Sequence, residues 1–159
     1  MQYHAASYAS GVWDIYWYEK NLFGDIVAVY DHSGTKLVSY IYDAWGNFTT
    51  TYHNGTTSSS RAANNPFTYR GYYYDADLEL YYLQTRYYDS NTGRFINADG
   101  VGYLGENGDI NSYNLYAYCS NNPIMFVDPT GHGFLSSIIM GGLVFAALSY
   151  GKDVYDEIV

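Results

Sequence analysis

The stretch AVYDHSGTKLVSYIYDAWGN carries Tyr-Asp-x-x-Gly twice, as Tyr30-Asp31 with Gly34 and as Tyr42-Asp43 with Gly46. Runs rich in β-branched and aromatic residues, DIVAVY and KLVSYIY, lead into each unit. Such runs favour pleated strands. An Asp at the first turn position accepts backbone hydrogen bonds, and a Gly three residues on takes the left-handed conformation that closes a bulged hairpin. The twelve-residue interval between the two units equals about one strand and one turn. The chain is therefore expected to fold as an array of short hairpins.

The motif returns in altered form. Tyr74-Asp75 has Leu78 where the Gly is expected, and Tyr88-Asp89 has Gly93 one residue late. The segment LELYYLQTRYYD still reads as hairpin strands, and tyrosines on adjacent strands can stack into ladders over a covered face. Composition agrees: 22 Tyr, 7 Phe and 3 Trp stand among 159 residues. Tyrosine is a strand former with one apolar and one polar end. The polar stretch TTTYHNGTTSSSRAANNPF between the hairpin blocks is expected to be an exposed loop or long hairpin tip.

Several function classes recede on charge. Formal net charge is −9, which opposes binding to nucleic acid and to anionic lipid headgroups. Cys119 is the single cysteine, so no intrachain disulfide forms, and a buried inert thiol is expected. His4, His32, His53 and His132 lack ligand spacing, so no metal and no cofactor are expected. DSNTG resembles a calcium loop in its oxygen atoms but lacks the later Glu, and reads as a turn. The N-terminus lacks the order of a signal peptide and looks like the middle of a strand-rich region, as expected for one end of a longer architecture.

YDAWGN, then YRGYYYDADLELYYLQTRYYDSNTGRFINADG, then YNLYAYCSNNPIMFVDPTG resemble, in that order, the C-terminal part of Rhs/YD-repeat proteins. The second and third pieces are similar to the Rhs-associated core. The resemblance implies an all-β fold in which YD hairpins, with turns at Tyr30, Asp31, Gly34, Tyr42, Asp43, Gly46, Tyr88, Asp89 and Gly93, form part of a hollow β-shell. An irregular core plugs the shell, and a variable segment follows the boundary motif Asp128-Pro129-Thr130-Gly131. On this basis residues 1–95 are hairpin region, 96–132 the end of the associated core, and 133–159 a variable tail with one apolar helix.

The implied partners are upstream YD repeats or the rest of the shell, with a C-terminal toxin and an immunity protein also possible partners. The implied setting is secreted or cell-surface, as part of a larger protein. Residues 133–159 are too few to fold as a catalytic toxin. The apolar run 134–150 fits three readings: a membrane helix, the apolar linker that follows the core in the family it resembles, or the stub of a toxin lost to truncation; against membrane insertion stands a helix packed inside the shell.

The resemblance also implies chemistry. Members of the family cut themselves just after the second Asp-Pro-x-Gly motif with two aspartates, which here are Asp99 and Asp128, placing the cut after His132. Two nearby carboxyls share a proton, so one activates water while the other protonates the carbonyl. Three features depart from the family pattern: Gly100 replaces the usual Pro, ENGD lengthens the spacer, and His132 stands where Leu is usual. The simpler alternative is that both aspartates cap turns. Arg70, Arg86 and Arg94 are expected to stack on Tyr rings or to pair with Asp75, Asp89 or Glu79, although one of them beside the aspartates would suit catalysis. Three function classes follow: structural shell, single-turnover aspartyl self-protease, and surface adhesion to glycans through exposed Tyr.

Overall fold

In the computed structural model the two Tyr-Asp-x-x-Gly units close hairpins through one local geometry. Asp31 Oδ1 accepts the backbone N–H groups of Ser33 and Thr35, both at 2.9 Å. Asp43 Oδ1 accepts those of Trp45 at 2.8 Å and Asn47 at 2.9 Å. Gly34 and Gly46 adopt φ of 83° and 97°, a region that side chains with a Cβ avoid. The structure describes residues 2–9, 12–60, 62–105, 110–132 and 135–136.

The described strands are β1 (Gln2–Ala9), β2 (Val12–Lys20), β3 (Ile26–Tyr30), β4 (Lys36–Tyr42), β5 (Phe48–Tyr52), β6 (Tyr73–Asp75), β7 (Leu80–Tyr82), β8 (Tyr87–Asp89), β9 (Arg94–Phe95), β10 (Phe126–Val127) and β11 (Leu135–Ser136). Strands β1 to β5 form one antiparallel meander, β6 to β9 a second, and β10 and β11 a two-stranded ribbon. The fold is all-β.

A third unit of the same kind joins β2 to β3, with Asn21 in the Asp position. Its Oδ1 accepts the N–H groups of Phe23 at 2.9 Å and Asp25 at 3.0 Å, and Gly24 has φ 88°. The two altered units prove to be a second turn length. The left-handed residue comes four positions after the Asp in both, Glu79 at φ 56° and Gly93 at φ 67°. Asp75 Oδ1 accepts N–H groups from Asp77 and Leu78, and Asp89 Oδ1 accepts that of Asn91. Leu78 is thus not a misplaced Gly; the loop is one residue longer.

Register in the second sheet lines up Tyr74, Tyr81, Tyr88 and Phe95 on one face. Ring centroids along this row lie 5.0, 6.2 and 5.9 Å apart. Tyr81, Tyr88 and Phe95 of the row are buried with Tyr69, Tyr72, Leu83, Tyr118, Cys119 and Val127, and the half-buried Tyr74 packs against them together with Tyr42, Trp45 and Phe48 of the first sheet. Burial pushes the Cys119 thiol far above its ordinary value, which makes it unreactive.

Hydroxyls fasten the two sheets together. Tyr69 donates to the Ala44 carbonyl at 2.8 Å, Tyr88 to that of Trp45 at 2.7 Å and Tyr81 to that of Gly46 at 2.7 Å. One turn of the first sheet is thereby plugged into the second.

Two expectations change. The polar loop after β5 is not wholly exposed: Ala62 is buried in the core of the first sheet, and Asn65 accepts a 2.7 Å hydrogen bond from Tyr18. Leu135 and Ser136, expected to begin an apolar helix, instead pair with Val127 and Phe126 as a strand. The rest of 134–150 lies outside the described residues. Among the described residues no helix is long and apolar enough to cross a membrane.

Candidate functional site

Strand β10 runs into Asp128-Pro129-Thr130-Gly131, and this motif is another turn of the wall type. Asp128 Oδ1 accepts the Gly131 N–H at 2.8 Å and the Thr130 N–H at 3.2 Å, while Gly131 has φ 82°. Tyr72 brackets the Asp128 backbone: its hydroxyl donates to the carbonyl at 2.8 Å and accepts the N–H at 3.2 Å.

The connection between β7 and β8 grips the same turn residue by residue. Gln84 Nε2 donates to the Pro129 carbonyl at 3.1 Å, Thr85 Oγ1 to that of Thr130 at 2.6 Å, and Arg86 Nε to that of Gly131. A Cβ on Gly131 would lie 2.5 Å from Thr85 Oγ1 and 2.7 Å from the Leu83 carbonyl oxygen. Only glycine fits there.

Asp99 reaches the site from the segment after β9, where its N–H donates to the Leu115 carbonyl at 2.9 Å. Gly100 holds φ −60°, close to the value a proline ring imposes, so the exchange of Pro for Gly leaves this backbone direction intact. The expected insertion, residues 106–109, lies outside the described residues.

Arg86 is the centre of the arrangement. Its Nη2 lies 2.9 Å from Asp99 Oδ2 and 3.9 Å from Asp128 Oδ2, and Nη1 donates to the Leu115 carbonyl at 2.9 Å. Its guanidinium carbon sits 3.6 Å from the centroid of the Phe95 ring. The three side chains are almost wholly buried, Arg86 at 4% exposure, Asp99 at 6% and Asp128 at 4%. Burial lowers Arg86 from its ordinary value while the two carboxylates pull it up. His132 Nδ1 is 2.7 Å from Asp99 Oδ1, with the imidazole 37% exposed.

Asp99 and Asp128, 29 positions apart in sequence, thus meet at one guanidinium, and His132 joins them through Asp99. Asp128 also caps a turn, with Oδ1 serving the backbone while Oδ2 faces Arg86. Arg86 pairs with Asp99 and Asp128, the arrangement considered for an arginine beside the aspartates, rather than with Asp75, Asp89 or Glu79, because the connection that carries it docks on the Gly131 turn. Arg70 pairs with Asp25 at 3.7 Å and lies against the Phe23 and Tyr69 rings. Arg94 stands opposite Asp89 across β8 and β9. Tyr30 and Tyr42 end β3 and β4, ahead of the first two turns. Among the described residues no group of His, Cys, Asp and Glu is arranged to hold a metal ion.

Comparison with known proteins places these features in a family. The teneurin YD-shell profile matches residues 14–124. The tRNA3(Ser)-specific nuclease WapA of Bacillus spizizenii is 44% identical over 117 residues, covering 74% of this chain and 5% of that protein. Double-stranded DNA deaminase toxin A of Burkholderia cenocepacia is 35% identical over 103 residues, 65% of this chain and 6% of that one. The crystal structure of TcdB2-TccC3-Cdc42 matches with TM-score 0.63 and 28% identity over 75% of this chain and 5% of its own. A structure of the Photorhabdus luminescens Tc holotoxin pore matches with TM-score 0.62 and 27% identity, covering 74% of this chain and 5% of that one. The chain therefore spans about a twentieth of the length of each of these proteins.

Proposed function

The chain belongs to the teneurin YD-shell family, and from that premise we propose that it is the C-terminal part of a shell wall that encloses and delimits a toxin or effector segment. The observation that carries this reading is the grip of Gln84, Thr85 and Arg86 on the carbonyls of Pro129, Thr130 and Gly131. That grip fixes the point at which the wall ends and the following segment leaves. Relatives named as a nuclease and as a deaminase toxin support a toxin as the enclosed cargo. Upstream hairpins complete the wall, and the assembly works after secretion or at the cell surface.

Limited proteolysis of the longest natural chain carrying these residues tests the reading. Segments after Gly131 are expected to resist protease in the wild type. They should become sensitive in Gly131→Val, whose side chain cannot fit beside Thr85 Oγ1. Equal sensitivity in both proteins would refute enclosure.

A second reading, single-turnover aspartyl self-cleavage after His132, is supported by the meeting of Asp99 and Asp128 at Arg86 Nη2. Water adds to the His132 carbonyl, one carboxyl taking a proton from it and the other protonating the carbonyl oxygen. The C–N bond then breaks, giving a large N-terminal piece and residues 133–159. Intact mass tests this: Asp128→Asn and Asp99→Asn should each abolish the cut, because the two carboxyls need different protonation states.

A further inference from the structure

Resting on the self-cleavage reading, we infer that His132, the residue carrying the scissile carbonyl, also serves as the proton reservoir of the aspartate pair and extends cutting to neutral pH. An aspartyl pair works with one proton held between two carboxyls. Asp99 has both oxygens engaged, Oδ2 by Arg86 Nη2 at 2.9 Å and Oδ1 by His132 Nδ1 at 2.7 Å. Arg86 brings charge to the pair but never releases a proton. An imidazole does exchange its proton near neutrality. His132 is also the solvent-facing member of the cluster, 37% exposed against 6% for Asp99 and 4% for Asp128, so it can reload from water.

Asp99 faces the imidazole directly, with Arg86 from the connection between β7 and β8 and Asp128 from the turn after β10 on the other side of Asp99. Behind Asp128 stand the Tyr72 phenol and the Cys119 thiol, both raised by burial and neutral where imidazole titrates.

The step balances as follows. The step begins with the single mobile proton on His132 Nδ1, 2.7 Å from Asp99 Oδ1. This proton crosses the hydrogen bond to Asp99 as water approaches. The water oxygen bonds to the His132 carbonyl carbon, its proton goes to Asp128, and Asp99 passes its own proton to the carbonyl oxygen. The C–N bond to residue 133 breaks as Asp128 protonates the leaving nitrogen. One hydroxyl proton then returns through Asp99 to His132 as the new carboxyl forms. Nothing beyond one water is consumed.

The test follows cleavage of the full chain after cell-free synthesis, by mass, from pH 4 to pH 8.5. His132→Leu and His132→Gln are expected to cut at acid pH but to lose on the order of 100-fold in rate at pH 7. Asp128→Asn is expected not to cut at any pH. Added imidazole should restore neutral-pH cutting to His132→Ala, which a purely structural loss would not allow. Near-ultraviolet circular dichroism checks that each variant keeps its aromatic core. The inference falls if His132→Leu keeps the wild-type pH profile, or if it slows equally at every pH and imidazole does not rescue. It falls together with the self-cleavage reading if the folded wild type stays whole throughout, or if Asp128→Asn still cuts.

Discussion

Gly34 and Gly46 occupy the same position in consecutive turns, yet replacing them should have different consequences. Both have left-handed φ, 83° and 97°, where a Cβ costs about 1–2 kcal/mol. A Cβ on Gly34 meets nothing within 4 Å, whereas on Gly46 it lies 2.8, 2.9 and 3.1 Å from Cδ1, Cγ and Cε1 of Tyr69. That ring cannot retreat freely. It is buried, its hydroxyl is tied to the Ala44 carbonyl, and Tyr42, Tyr72 and Tyr81 pack around it. Forcing a methyl into such a core costs a further ~1–3 kcal/mol. Gly34→Ala should therefore lose about 1–2 kcal/mol and Gly46→Ala about 2–5 kcal/mol.

Urea denaturation of the full chain, compared at a common slope, measures the difference. A double-mutant cycle isolates its cause: with Tyr69→Leu present, the extra cost of Gly46→Ala should largely vanish. Equal losses at the two glycines, or an undiminished loss in the Tyr69→Leu background, would refute the claim that this turn is docked rather than merely formed.

Tyr81→Phe removes the donor to the buried Gly46 carbonyl and should cost about 1–3 kcal/mol, while Tyr73→Phe, at an exposed ring, should stay within about 0.5 kcal/mol in the same denaturation assay. Burial raises the phenols of Tyr42, Tyr72, Tyr81, Tyr88 and Tyr118. Above the ordinary value of 10.0 the unfolded chain thus binds fewer protons than the native one, so stability is complete below pH 10 and falls as pH rises beyond it. Absorbance at 295 nm should show a late-ionising tyrosine class that appears only as circular dichroism is lost. Arg86→Met strands two buried carboxylates and should cost about 3–5 kcal/mol in the same denaturation assay; a loss within about 0.5 kcal/mol, as at a surface site, would argue against the ion cluster.

The turns were legible because Asp, Asn and Gly act on their own backbone within four residues, so sequence and geometry coincide. Asn21 escaped notice only because the pattern sought was Tyr-Asp, although Asn-x-x-Gly offers the same side-chain oxygen and the same left-handed residue. The aromatic row was legible in part, since Tyr74, Tyr81, Tyr88 and Phe95 recur every seven residues. Arg86 was not. Its partners lie 13 to 45 positions away, and an arginine just ahead of a tyrosine strand carries no local mark of them. The buried Ala62 was hidden for a related reason, since a polar loop folds inward at one residue when Tyr18 finds a partner in Asn65.

The density of tyrosine, rather than phenylalanine, has a physical cause that reaches the candidate site. A docked turn buries carbonyls that have no ladder partner, and a buried unpaired carbonyl is costly. Tyrosine fills the core with its ring and meets such a carbonyl with its tip. Asp128 is treated in the same way as the Ala44 to Gly46 carbonyls, with Tyr72 holding both its backbone carbonyl and its N–H, and the Tyr118 hydroxyl 3.1 Å beyond. Tyr72→Phe should therefore cost more than Tyr81→Phe, because two backbone groups lose their partner instead of one, each worth about 1–3 kcal/mol. It should also free the turn that aims the Asp128 carboxyl at Arg86. Amide hydrogen exchange reads this directly: the Asp128 N–H should exchange much faster in Tyr72→Phe, while Gly131 N–H, held by the Asp128 carboxylate itself, should change less. If both amides kept their protection, the Asp128 turn would stand on its local hydrogen bonds alone, and the tyrosine would be only a packing residue.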